Sequence, residues 1–157
     1  MKALFQYTTR RSMPGLRWWA VLFLLAGLTA CKSTIALYDA DTFTRTTALK
    51  EKTLKLFDHG VDAYAKYKAE AKAVLDEATA LYERQQTRKN NALSIQQWKL
   101  LLDDNAVPNT SGILTGFFKE WENAKAPLTA FYVKEKKKKV SEAFDEILRL
   151  ENAKTKK

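Results

Sequence analysis

From about residue 41 to about residue 148, apolar side chains return every three or four positions. This is the period of a helix with one buried face, and no stretch alternates residue by residue as a half-buried strand does. The first repeat places Phe43, Thr47, Leu54 and Phe57 toward one side and predicts a helix from about Asp41, a side chain suited to the N-cap, to Asp58. A second stripe of Val61, Tyr64, Ala65, Ala71, Leu75, Ala78 and Tyr82 predicts a helix over 61–86. Leu54, Phe57, Val61 and Tyr64 are spaced 3, 4 and 3, so one face runs on through His59-Gly60. An unbroken helix there would be about 70 Å long and hard to cover with the rest of the chain. Glycine costs about 1 kcal/mol inside a helix and is favoured just past its end, so a break at Gly60 is expected.

The polar run 87–91 reads as a turn. Beyond it Asn91 or Ser94 can cap a short helix with Ile95, Trp98, Leu101 and Leu102 on its apolar face, ending near Asp103-Asp104-Asn105. Residues 108–112, Pro-Asn-Thr-Ser-Gly, form the clearest loop. A fourth helix over 111–123 presents Leu114, Phe117, Phe118 and Trp121 as a dense aromatic face. Pro127 suits the first turn of the last helix, which turns Leu128, Phe131, Val140, Phe144, Ile147 and Leu148 inward before fraying at Lys154, Lys156 and Lys157. The fold class expected is all-α, a small bundle of four or five helices that the pattern leaves free to be elongated, over a single domain of residues 40–157.

Residues 1–31 differ from this pattern. Lys2, Arg10, Arg11 and Arg17 precede an apolar stretch at 18–27, and the only cysteine of the chain, Cys31, follows Leu28, Thr29 and Ala30. A positive segment, an apolar segment of about ten residues and small residues before a cut site form the order of a secretory signal peptide. The apolar stretch is too short to span roughly 30 Å of hydrocarbon, which takes about 20 residues.

Leu28-Thr29-Ala30-Cys31 resembles the lipobox of bacterial lipoproteins. The resemblance covers residues 1–31 and implies that 1–30 are a signal peptide that is removed. It also implies that the Cys31 thiol receives diacylglycerol, that the new amino group receives an acyl chain such as palmitate, and that 31–39 are a lipidated tether. Lys32 stands where an aspartate would retain an enteric-type lipoprotein in the inner membrane. The implied address is therefore the bacterial outer membrane, facing the periplasm. Two or three acyl chains would make detachment negligible.

The same segment changes the charge balance. It holds four of the 27 Lys and Arg and none of the 18 Asp and Glu, so the net charge of +9 falls to +5 for residues 32–157. A lipidated Cys31 leaves no thiol for a disulfide or a cysteine metal site, and stability must come from packing.

Little in the remainder suggests chemistry. His59, between Asp58 and Asp62, has the composition of an oriented base, but without a second histidine, a thiol or an identified nucleophile it reads as a solvated helix-end residue. Asp103 with Asp104 and Glu120 with Glu122 are the carboxylate pairs that a cell-wall hydrolase would need, yet near neighbours on a helix point apart and fit solvated surface. No catalytic residue, metal ligand or cofactor is expected apart from the covalent diacylglycerol and N-acyl lipid on Cys31. Lys134, Lys136, Lys137, Lys138 and Lys139 form the sharpest feature, a run that wraps more than one turn and leaves no apolar stripe. It reads as solvated surface or as an anion-binding site for acidic lipid, lipopolysaccharide or cell-wall polymer. The expected function is non-catalytic binding or scaffolding at the envelope. Its partners would be the membrane, through the lipid anchor, and an envelope protein or anionic polymer, with no nucleic acid.

Overall fold

A computed structural model of the chain describes residues 36–102 and 111–154. They form five α-helices: α1 (Ala40–Phe57), α2 (Lys68–Gln86), α3 (Ala92–Leu102), α4 (Ile113–Asn123) and α5 (Ala130–Ala153), with a 3-10 turn at Tyr64–Lys66. There is no strand among the described residues, and the fold is a small all-α bundle. None of these helices is long and apolar enough to cross a membrane.

The helices interlock through seams in which buried positions alternate between spacings of three and four. In α1 the seam is Thr42, Thr46, Leu49, Thr53 and Leu56, in α2 Ala71, Val74, Ala78, Leu81 and Gln85, and in α5 Val140, Phe144, Ile147 and Glu151. This spacing keeps one face toward its neighbours over the helix length. The stripe expected in α1 is offset by one position, with Phe43, Thr47 and Leu54 only partly covered. A threonine counted as polar still carries a methyl group that can line a core, and the hydroxyls of Thr46 and Thr53 are buried with no hydrogen-bond partner.

Ion pairs fix the directions. Asp39 and Lys50 meet Arg84 and Asp145, and Lys52 meets Glu77, so α1 runs antiparallel to α2 and α5. The amide of Asp39 meeting Glu151, and Lys137 meeting Asp58, place the start of α1 at the end of α5 and the end of α1 near its beginning. α3 packs against α2 and α5, with Trp98 edge-on to Phe144 at 6.3 Å. α4 covers the opposite end. There Phe57 stacks on Phe117 at 3.8 Å, Phe118 and Trp121 complete an aromatic layer, and the Trp121 indole donates to the Asp62 carbonyl at 2.9 Å. The aromatic face read from α4 is core in full: Leu114, Phe117, Phe118 and Trp121 are all buried.

Several boundaries differ from the sequence expectation. The cap of α1 is Asp39, whose carboxylate accepts from the Thr42 amide, and not Asp41, which lies in the first turn and pairs with Arg84. α2 begins at Lys68, leaving Val61 exposed in the connecting turn and Tyr64 and Ala65 in the 3-10 turn. Of the residues expected to end the third helix, 103–105 lie outside the described residues, as does the loop at 108–110. Pro127 precedes α5, which Thr129 caps by accepting from the Tyr132 amide. Phe131 is 76% exposed, because it lies on the face opposite Val133 and Val140.

The break at Gly60 has a steric cause. α1 closes at 58–60 with tightened hydrogen bonds from Asp58, His59 and Gly60 to Lys55, Leu56 and Phe57. A Cβ on Gly60 would lie 2.9 Å from Val133 Cγ2 and 3.0 Å from Phe117 Cζ. Glycine lets α4 and α5 close over the end of α1. Gly60→Ala is therefore expected to cost about 1–3 kcal/mol by overpacking, read as a lower urea midpoint with unchanged slope. An unchanged midpoint would refute the steric account.

Candidate functional site

Leu28, Thr29, Ala30 and Cys31 lie outside the described residues. The structure does show how the chain enters the bundle. Residues 36–39, expected to belong to a tether, are docked: Ala36 is buried and donates to the Asn90 carbonyl at 2.9 Å, the Leu37 carbonyl accepts from Arg88, and the Asp39 amide donates to Glu151 Oε1 at 3.0 Å.

This strap rests on a buried polar layer. Glu151 is 3% exposed and receives the Asp39 amide, the Arg88 guanidinium at 3.1 Å and the Lys154 ammonium. Lys154 also donates to Asn91 Oδ1 at 2.8 Å, and the Asn91 amide donates to the backbone and side-chain oxygens of Gln85. Gln85 donates to the Thr42 hydroxyl, which donates to Asp39. Burial pushes the Lys154 ammonium below its usual pKa, against the pull of Glu151. Lys154 was expected to fray. It is buried instead, because the end of α5 lies beneath the strap and the start of α3, and Asn91 serves Lys154 and Gln85 through its side chain.

Burial disfavours the charged form of Asp39, but the Thr42 amide and hydroxyl and the Arg84 guanidinium outweigh it, leaving the pKa below the usual carboxylate value. No sequence signal singled out this layer, since Gln85, Glu151 and Lys154 look like ordinary surface residues.

The lysine run lies at the other end. The distance from it to Lys154 along α5 is about 23–30 Å at about 1.5 Å per residue. The buried stripe does continue through it. Val133 and Val140 are buried on either side, and Lys136 and Lys137 fill the positions between with their stems while their ammonium groups reach outward. Lys136 lies 3.7 Å from Glu120 and over the Tyr132 ring, and Lys137 meets Asp58 at 2.5 Å. Lys138 is loosely paired with Glu142 at 3.9 Å. Lys134 and Lys139 are exposed, with no ion pair among the described residues. The five lysines are thus unequal: two hold the bundle and three face outward.

His59 sits in the turn after α1, its Nδ1 3.4 Å from Asp62 and its ring stacked on Tyr67 at 4.3 Å. Tyr67 donates to the same carboxylate at 3.3 Å. Glu122 pairs with Lys68 at 3.2 Å and Glu120 with Lys136, so each carboxylate is turned to a different lysine. Asp103 and Asp104 lie outside the described residues. Among the described residues no group of three or more His, Cys, Asp or Glu is placed to hold a metal ion. In comparison with known proteins, the chain matches no family model, no curated protein and no solved structure.

The cap and its pairing with Arg84 make Asp39 the accessible probe of the strap. Asp39→Ala is expected to cost about 1–2 kcal/mol at neutral pH. Because the folded pKa lies below the unfolded one, this contribution is complete above about pH 4 and disappears as pH falls through the folded value. Urea melts of wild type and variant should therefore draw together as the pH falls below the usual carboxylate range, and a gap that stays constant from neutral pH into acid would contradict the assignment.

Proposed function

We propose that this protein is a bacterial envelope lipoprotein, held in the membrane by acyl chains on Cys31, whose helical domain binds or scaffolds without catalysing a reaction. The observation that carries this reading is the sequence Leu28-Thr29-Ala30-Cys31, with the only thiol of the chain at the end of a signal-like segment. The docked strap supports it. Residues 36–39 are tied to the bundle by three backbone contacts, so a lipid on Cys31, five residues before Ala36, would hold the domain close to its membrane. Lys32 favours the outer membrane, and the domain would then face the periplasm. Cys31→Ser should abolish incorporation of a clickable fatty acid and leave an uncleaved or mislocalised precursor. Equal labelling of wild type and variant would refute the lipoprotein reading.

A second reading, an anion-docking role for the far end of α5, draws on the outward lysines. Lys134, Lys138 and Lys139 flank the exposed Phe131, a basic and apolar surface suited to acidic lipid, lipopolysaccharide or cell-wall polymer. Lys136 and Lys137 are the wrong residues to test, since their loss would also remove the pairs to Glu120 and Asp58. Replacing Lys134, Lys138 and Lys139 with Gln in a fragment of residues 32–157 should weaken association with anionic liposomes by about 3 kcal/mol at low salt, at about 1 kcal/mol per residue. That is roughly a hundredfold. The wild-type association should fade as salt shrinks the Debye length from about 10 Å at 0.1 M to about 3 Å at 1 M. Absence of salt-sensitive binding by the wild type at low salt would leave scaffolding as the only role for this end.

A further inference from the structure

We infer that the end of the bundle carrying the strap is itself a membrane-contacting surface, with Leu37 and Leu93 seated at the headgroup level of the bilayer that would hold the Cys31 lipid. This rests on the lipoprotein reading and adds an orientation to it. Leu37 is 82% exposed and Leu93 63%. One exposed leucine needs no explanation. These two, however, belong to segments joined by the hydrogen bond from the Ala36 amide to the Asn90 carbonyl, with Tyr38, 39% exposed, alongside Leu37. Leu93 also lines a cleft of about 320 Å³ between the start of α3 and the end of α5, with Ala92, Leu150, Ala153 and Lys154. Nothing in the described chain covers these leucines, although the aromatic layer at the other end buries far larger side chains.

The occupant follows from where the chain goes. Five Cα-to-Cα steps separate Cys31 from Ala36, and at no more than about 3.6 Å each they span at most about 18 Å. The strap is pinned by Asn90, Arg88 and Glu151, so an acylated Cys31 would keep this end, and not the lysine run about 23–30 Å away along α5, next to the bilayer. Interfacial side chains enter about 5–10 Å into the headgroup boundary, a depth that exposed leucines on the leading edge can reach. Charge agrees: the exposed Lys89 lies four residues before Leu93, next to the Asn90 that holds the strap, and Lys32 precedes Leu37 in sequence. Basic groups beside apolar ones suit an anionic bilayer surface. In this orientation Phe131, Lys134 and Lys139 point away from the anchoring membrane.

Acylation removes the only native thiol, so an introduced cysteine can be labelled alone in the full, processed protein. Leu93→Cys, Leu37→Cys and Phe131→Cys would each carry a nitroxide spin label. The proteins would be purified with their lipid and reconstituted in vesicles of phosphatidylethanolamine and phosphatidylglycerol. Collision with a water-soluble nickel chelate should fall several-fold at positions 93 and 37 relative to the same proteins in lipid-free buffer with detergent, while position 131 stays unchanged. Two substituted sites guard against a local disturbance at either one, and circular dichroism melts confirm the fold of each. If all three labels remain equally open to the chelate while mass spectrometry shows acyl chains on the native cysteine, the seat is refuted and the anchor stands. If that cysteine carries no acyl mass, the lipoprotein reading fails and the seat with it.

Discussion

A carboxylate taken out of water is costly unless its oxygens are engaged by hydrogen bonds and opposite charge, and in this chain that requirement draws four segments to one point. Glu151 lies near the end of α5. Its partners come from the strap through the Asp39 amide, from the turn after α2 through Arg88, and from the last turn of α5 through Lys154, which in turn holds Asn91 at the start of α3. A slip of one helical turn by any of these segments would leave a buried charge or amide without its partner. Leucine packing alone tolerates such a slip more readily, since one apolar contact substitutes for another. The polar layer therefore sets the register of the bundle at its entry end.

The opposite end is held by different means. There the seams of α1 and α5 meet α4 in a buried cluster of Phe57, Phe117, Phe118 and Trp121, held by ring stacking and an indole hydrogen bond, while the ion pairs of this end, Lys137 with Asp58 and Lys136 with Glu120, lie at its surface. Gly60 is the place where this cluster closes over the end of α1, and its missing Cβ is what allows the approach. The buried interior of one end is thus specified by directional polar contacts and that of the other chiefly by shape. The middle of the α1 and α2 seams, Leu49, Val74 and Ala78, is aliphatic.

This polarity gives the functional reading its geometry. An anchor at Cys31 would join the bundle through the strap, whose docked residues 36–39 lie on the polar layer. The far end, with Phe131 and the outward lysines, would then be the part presented to the compartment. Binding at that end and anchoring at the other would be separable, because Phe131, Lys134, Lys138 and Lys139 share no hydrogen bond or ion pair with residues 36–39 among the described residues.

The all-α class, the turn before α3 and the aromatic face of α4 were legible in the sequence, because each follows from local spacing: period, polar cluster, and apolar positions three and four apart; at Gly60 the spacing ran on unbroken, and only the glycine and the length of an unbroken helix leaned toward a break. The lipobox resemblance is likewise a property of consecutive residues, and it lies in a part of the chain outside the described structure. What only the tertiary structure decided is which polar residues are inside. Thr42, Thr46 and Thr53 hold the α1 seam in place of Phe43 and Leu54, Gln85, Glu151 and Lys154 are buried, and Lys136 and Lys137 serve as stripe residues while their neighbours face water. Nothing local marks such residues. A glutamate is stable inside only when an arginine 63 positions away and a lysine three positions on arrive at the same point, and that meeting exists only once the helices have packed.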